Sequence, residues 1–490
     1  MTPLKAWSTL PVAFTLVATM VGCVSMAPKY RTPEAPVSPA WPEGPSYKAA
    51  PAGTAATDLP WQAFYVDAGL RKVLDLALVH NRDLRIAALN TEKARAYYRI
   101  QRADLLPAVN VVGQGTRQRL PASVSGVGQS IVVEQDAVTV GISAWELDLF
   151  GRVRSLKNRA LETYLATEQA RNAMQTSLLA EVASLYLTLA ADREGLRLAQ
   201  ETLASQEASF KLIQRRFEVG ASSEIDARRA QVGVETARGD VARYTRTVAM
   251  DQNALNLAVG TPVPAELLPE QLGAVTALKD ITPGLPSEVL TRRPDIRMAE
   301  NQLKAANANI GAARAAFFPR ISLTTGLGTM ANDLTGLFKT GSDTWSFTPQ
   351  VVLPIFDTGA RWSNLKAANA DRDIALAQYE KAIQSAFREV ADTLALRGTL
   401  DDQLAAQEAL TQALERTHSL ATARYTAGLD GYLSVLDAQR SLYGAQQALL
   451  ALRRARYANL VTLYKVLGGG QATAEAAPPA KVPPPAAKPS

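Results

Sequence analysis

The chain lacks most of the side chains on which chemistry is built. Its 490 residues include one cysteine, Cys23, and two histidines, His80 and His418. A lone thiol excludes an internal disulfide and a cysteine-based metal site. Neither histidine belongs to an HExxH zinc motif, and there is no GxxxxGK[ST] loop for a nucleotide. An enzyme is therefore not expected, nor a metal or cofactor. Net charge is only +6, with bases and acids interspersed, so no basic stripe points to nucleic acid. Long apolar runs are missing too. The stretch from Leu10 to Gly22 is mostly apolar but shorter than the roughly 20 residues a membrane helix needs. Any membrane crossing must use β-strands.

The ends are simple. Residues 1–22 carry Lys5 as their only charge, then a short apolar region and small residues, which describes a secretory signal peptide. The run Met20-Val21-Gly22-Cys23 resembles a bacterial lipoprotein signal. That resemblance makes Cys23 the first mature residue, with a covalent N-terminal lipid as its only attached group. Val24 in place of Asp favours sorting to the outer membrane. Residues 23–66 read as an extended tether and an equatorial segment, and 469–490 as a disordered Pro/Ala-rich tail.

Proline is also absent where it matters. None falls between Pro121 and Pro262 or between Pro354 and Pro478, and both gaps are rich in strong helix formers. Leu442, Leu449, Leu452 and Leu460 recur with coiled-coil-like spacing, as do Leu178, Val182, Leu185 and Leu189. Glycine marks a turn inside each gap, at Gly220 and Gly428. Each gap thus reads as a long helix, a turn and a returning helix. The outward limb from Arg152 to Val219 would span on the order of 100 Å.

The two halves align. "RDLRIAALN" (82–90) parallels "PDIRMAENQ" (294–302) at an offset of 212, and Pro107 falls on Pro319. "RRFEVG" (215–220) parallels "ARYTAG" (423–428) at 208. The chain is a tandem duplication of roughly 210 residues. The first repeat is 67–260: a helix (about 69–103), two strands (about 107–148) and a helical hairpin (152–260). A linker, 261–285, follows. The second repeat is 286–468: a helix (about 286–316), two strands (about 319–356) and a hairpin (360–468).

The strands alternate. Val138, Val140 and Ile142 oppose Thr139, Gly141 and Ser143, while Ile321, Leu323 and Thr325 share a face. An apolar face and a small or polar face suit a barrel with lipid outside and water inside. A soluble sandwich edge is the competing reading. Four strands cannot close a barrel, and open edges in lipid leave backbone groups unpaired. Either the segments are not in a membrane or several chains pool their strands. Trp145, Trp345, Phe347 and Phe356 either lie at the membrane interface or pack in an aromatic core.

The segment "GLPSEVLTRRPDIRMAENQLKAANANIGAARAAFFPRISLTTGLG" (284–328) resembles the signature region of the outer-membrane efflux proteins of the TolC superfamily. "WELDLFGRVR" (145–154), "PIFDTGAR" (354–361) and "RYTAGLDGYLSVLDAQRSLY" (424–443) match as well. The chain is similar to the lipoprotein branch, of the OprM/NodT type. The resemblance implies a mixed α and β membrane protein: a homotrimer with a shared 12-stranded β-barrel continuous with a periplasmic α-helical barrel. It implies a passive exit duct for drugs or other small molecules, working with a periplasmic adaptor and an inner-membrane pump of the RND type.

The same resemblance directs attention to the hairpin tips. Asp430 matches an acidic position that family members use to constrict the closed tip. Three copies would form a carboxylate ring favouring cations; the plainer reading is a turn aspartate beside glycine. Glu224 and Asp226 either join that ring or begin the returning helix. Arg216 and Arg424 either pair with these acids or contact the adaptor. Gly151 and Gly359 fall where strand passes into helix, where a sharp redirection is needed. Pro107 and Pro319 stop the preceding helices. A lipid-anchored periplasmic coiled-coil scaffold without a pore is the structural alternative.

Overall fold

A computed structural model describes residues 25–48, 54–275, 278–279, 281–284 and 286–470. The signal peptide, Cys23 and residues 471–490 of the tail lie outside them. The chain divides into two compact units. The first holds residues up to Glu34, Leu89–Glu168 and Met298–Glu380; the second holds Ala35–Ala88, Gln169–Arg297 and the chain from Lys381 onward.

The elements, in order, repeat one plan. β1 (Thr54–Ala55) and α1 (Trp61–Phe64) precede α2 (Ala68–His80) and α3 (Arg82–Ala103). β2 (Val109–Leu120) and β3 (Ile131–Leu147) follow, then the hairpin of α4 (Arg152–Glu218) and α5 (Glu224–Val259). After β4 (Ile281–Thr282), the plan recurs as α6 (Pro286–Arg292), α7 (Pro294–Ala315), β5 (Arg320–Ala331), β6 (Asp343–Val352), α8 (Ala360–Thr426) and α9 (Tyr432–Val466). Helices α4 and α8 each run 67 residues.

The single helix expected before each strand pair is two helices. Asn81 breaks the first: its side chain caps α3 by accepting from the Leu84 N–H at 2.8 Å. Pro294 breaks the second, because proline disfavours helix at the residue before it. The two breaks share a task. Asn81 Nδ2 donates to the Ala258 carbonyl at 2.7 Å, and Arg293 Nη1 donates to the Val466 carbonyl at 2.8 Å. Ala258 and Val466 are equivalent at the offset of 208. Different side chains thus cap the end of the returning helix in each repeat.

In the first unit, β2, β3, β5 and β6 form one antiparallel sheet in that order. The pairing puts Val111, Val140, Leu327 and Trp345 in one row, and Val109, Ile142, Thr325 and Phe347 in the next. These rows share a face. Ser143 and Ala144 together oppose Thr324, a β-bulge with Ala144 at φ +51°. The bulge returns Trp145 to the apolar face opposite Leu323. Without it, the alternation would turn Trp145 to the polar side. The outer edges of β2 and β6 have no partner strand among the described residues. Pro349, which cannot donate to a ladder, sits in the edge strand β6.

The Pro- and Ala-rich stretch expected to be a tether is fastened along its described length. In the first unit, Arg314 donates to the Met26 carbonyl, Asn307 to that of Pro28, and the Tyr30 hydroxyl to Glu300. Gly311 lies against Ala27, leaving no room for a Cβ. In the second unit, Trp41 stacks on Phe387 at 5.0 Å and donates to the Gly284 carbonyl. There β1 pairs in parallel with β4, joining the N-terminal segment to the inter-repeat linker. The main core lies beside them. Phe64 stacks face to face on Tyr464 at 4.0 Å, and the Tyr464 hydroxyl donates to the Leu59 carbonyl. Around these rings Leu70, Leu74, Leu179, Leu189 and Ile281 are fully or almost fully buried.

Candidate functional site

The two hairpin turns have the same backbone. Gly220 and Gly428 take φ of +75° and +74°. The Gly220 N–H donates to the Phe217 carbonyl and the Ala221 N–H to that of Arg216. The second turn repeats this with Gly428 to Tyr425 and Leu429 to Arg424. These are Schellman closures, which need a left-handed residue that only glycine supplies freely.

Their side chains differ. In the second turn the Arg424 guanidinium grips Asp430 with both arms, at 2.6 and 2.9 Å. That fork holds the Asp430 carboxyl below its ordinary value. The position equivalent to Asp430 in the first turn is Ser222, so Arg216 has no matching acid. It lies instead over the Tyr425 ring at 5.3 Å, and Tyr425 packs on Tyr432 at 5.4 Å. Arg216 and Arg424, matched in sequence, thus make unlike contacts. Ile213, Ala227, Val435 and Leu436 bury a small core beside them.

Glu224 and Asp226 lie in the first turn of α5. Ser223 caps the helix through the Asp226 N–H and donates its hydroxyl to the Asp226 carboxylate at 2.7 Å. Glu224 pairs with Arg228 one turn on. Both acids suit the positive end of the helix dipole. His80 and His418 lie at the end of α2 and within α8, and no group of residues able to hold a metal occurs among the described residues.

The junctions between strand and helix are also duplicated. Gly151 and Gly359 have φ of +74° and +89°. Asp148 accepts from the Val153 and Arg154 N–H groups, and Asp357 from that of Arg361. Each thereby caps a 67-residue helix. Helices α3 and α7 both end four residues before their proline, Pro107 and Pro319. Beside the first junction a cavity of about 170 Å3 is lined by Phe150, Phe318 and Glu146. Glu146 accepts both arms of Arg152 and lies 3.0 Å from Arg320.

Sequence reasoning missed Tyr425 and Tyr432, although both lie inside a quoted motif. It missed Arg293 and Asn81 because their partners are more than 170 residues away.

The family model described as outer membrane efflux protein matches residues 73–261 and 285–469, both repeats. The chain belongs to the outer membrane efflux protein family. It is 50% identical over 457 residues to the toluene efflux pump outer membrane protein TtgC of Pseudomonas putida, covering 93% of this chain and 94% of that protein. It is 45% identical to the outer membrane protein OprJ of Pseudomonas aeruginosa, covering 93% and 95%. Among solved structures, the open state of the Neisseria gonorrhoeae MtrE outer membrane channel superposes with a TM-score of 0.83 at 38% identity, covering 91% and 99%.

As a member of this family the chain is a passive channel and not an enzyme. It lies in the outer membrane of a Gram-negative bacterium with a large periplasmic part, as a trimer working with an adaptor and an RND-type pump. Membership sets aside the scaffold without a pore. No described helix is long and apolar enough to cross a membrane. The outer edges of the four-stranded sheet are unpaired among the described residues, and three copies give twelve strands.

Proposed function

We propose that the duct closes at the hairpin tips, with Asp430 as the gate residue and Arg424 as the side chain that positions it. The supporting observation is the two-armed ion pair across the turn between α8 and α9. The fork fixes the Asp430 carboxylate in one orientation, and threefold symmetry sets three such carboxylates around one axis. Opening then requires the turn to separate from its neighbours. Asp430→Ala raises single-channel conductance in a planar bilayer and antibiotic leakage in cells. Unchanged conductance in an assembled trimer refutes the gate.

Cys23 is proposed as the lipid attachment point, supported by the Met20-Val21-Gly22-Cys23 run. The lipid serves sorting and trimer assembly more than retention, because a barrel already holds the protein in the membrane. Cys23→Ala, given a conventional cleavage site, slows trimer formation; normal trimers that no longer export would contradict this division. The cargo proposed is apolar solvents and drugs, supported by relatives that bear those names.

A further inference from the structure

The sheet register settles what lies opposite the apolar band. Every second residue of β2, β3, β5 and β6 points to that other face, with the bulge at Ala144 keeping the count in phase. Amides, hydroxyls, glycines and a few aliphatic groups occupy it; Asn110, Gln114, Thr139, Thr324, Thr348 and Gln350 are representative. Among the described strand residues only two on this face are ionised, Glu146 and Arg320. Both sit at the helix end of the sheet and pair with each other. The remaining charges of the strands, Arg117, Arg119, Glu134, Asp136 and Asp343, lie on the apolar face at the opposite end. There they bound the apolar band. On β5 the band runs from Ile321 to about Thr329, roughly 20 Å at barrel tilt, which suits the apolar girdle of a transmembrane barrel.

With lipid on the apolar face, the neutral face lines the lumen. We infer that the strand-lined part of the duct has no charge preference and passes anionic, cationic and uncharged amphiphiles alike. Rings of fixed charge select ions because they set up a field inside a narrow pore. Here the only ionised strand residues on that face, Glu146 and Arg320, are gathered with Arg152 in one cluster at the helix end, and the described strand residues beyond it place no fixed charge on that face. Hydroxyl and amide dipoles serve donors and acceptors of either sign, and the aliphatic groups accept apolar cargo. Any sorting by charge therefore falls outside the strand-lined part. This inference rests on the channel reading.

The test places charge on each face in turn. Thr348→Cys and Phe347→Cys are adjacent in β6 and face opposite sides. Each assembled trimer is treated with a cationic or an anionic thiol reagent, and its reversal potential is read in a salt gradient. The parent chain, whose only cysteine is Cys23, is the reagent control. At position 348 the two reagents shift the potential by equal amounts in opposite directions, because each charge enters a neutral lumen. At position 347 neither has an effect. Labelling after assembly avoids variants that fail to fold. Unequal shifts at 348, or shifts at 347 in place of 348, overturn the inference. A trimer that conducts nothing overturns the channel reading instead.

Discussion

Replacing Arg293 with Met tests how the second repeat is fastened. The guanidinium is 9% exposed and makes four contacts: Asp295 at 3.0 and 2.6 Å, Glu389 at 2.8 Å and the Val466 carbonyl at 2.8 Å. Burial works against its charge, but the two carboxylates more than offset that and keep it protonated. Met fills similar space and removes every donor. The Val466 carbonyl is then buried and unpaired, which costs about 1–3 kcal/mol. The carboxylates are 40% and 44% exposed and regain water, so each lost pair adds no more than about 1 kcal/mol. The expected loss is about 2–4 kcal/mol. Asn81→Ala, at the matching place in the first repeat, loses one cap and one carbonyl contact to the half-buried Ala258. It costs about 1–2 kcal/mol. Denaturant midpoints of the detergent-solubilised trimer, followed by helical circular dichroism, give the order parent, Asn81→Ala, Arg293→Met. An Arg293→Met midpoint at or above that of Asn81→Ala would refute the reasoning.

Other outcomes follow from the same contacts. Arg424 lowers the pKa of Asp430, so the latch contributes stability above the ordinary carboxylate value of 3.8 and loses it as pH falls through the lower folded value. Conductance should stay constant from pH 7 to about pH 5 and rise only below about pH 4; a rise near pH 6 contradicts the pairing. Asp251 behaves in the opposite sense. Burial first, and the neighbouring Asp192 second, push it up to about 7, against the pull of Arg454. Its favourable contribution is complete below about pH 4 and is lost as pH rises through 7, so Asp251→Asn should flatten the pH dependence of the melting temperature. Gly311→Val places a side chain where Ala27 now lies. Proteolysis of the N-terminal strap should then quicken with the trimer intact, and equal protection would disprove the contact.

Much of the fold is legible in the sequence because local rules act alone there. Proline-free runs of strong helix formers leave a 67-residue helix little alternative, and glycine at 220 and 428 closes the turns by a backbone conformation other residues resist. Alternation in "DAVTVGISAWEL" marks the strand but not the bulge. The sequence carries no sign that Ala144 adopts a left-handed conformation, since the Thr324 hydroxyl that meets its N–H is 180 residues away. The hairpin tip divides in the same way. Its glycines and its acid are visible in a single motif. That Arg424 would take Asp430 while Arg216 stacks on Tyr425 is not, because the second contact joins different hairpins.

The sequence by itself determined the helical hairpins, the duplication and the need for partner chains. These follow from backbone preference, internal repetition and the number of strands. Tertiary structure alone decided which face of the sheet is neutral, how the strap is held, and that Asn81 and Arg293 fasten equivalent helix ends. Those outcomes depend on hydrogen bonds and register between residues far apart in the chain, where no local preference can choose the partner.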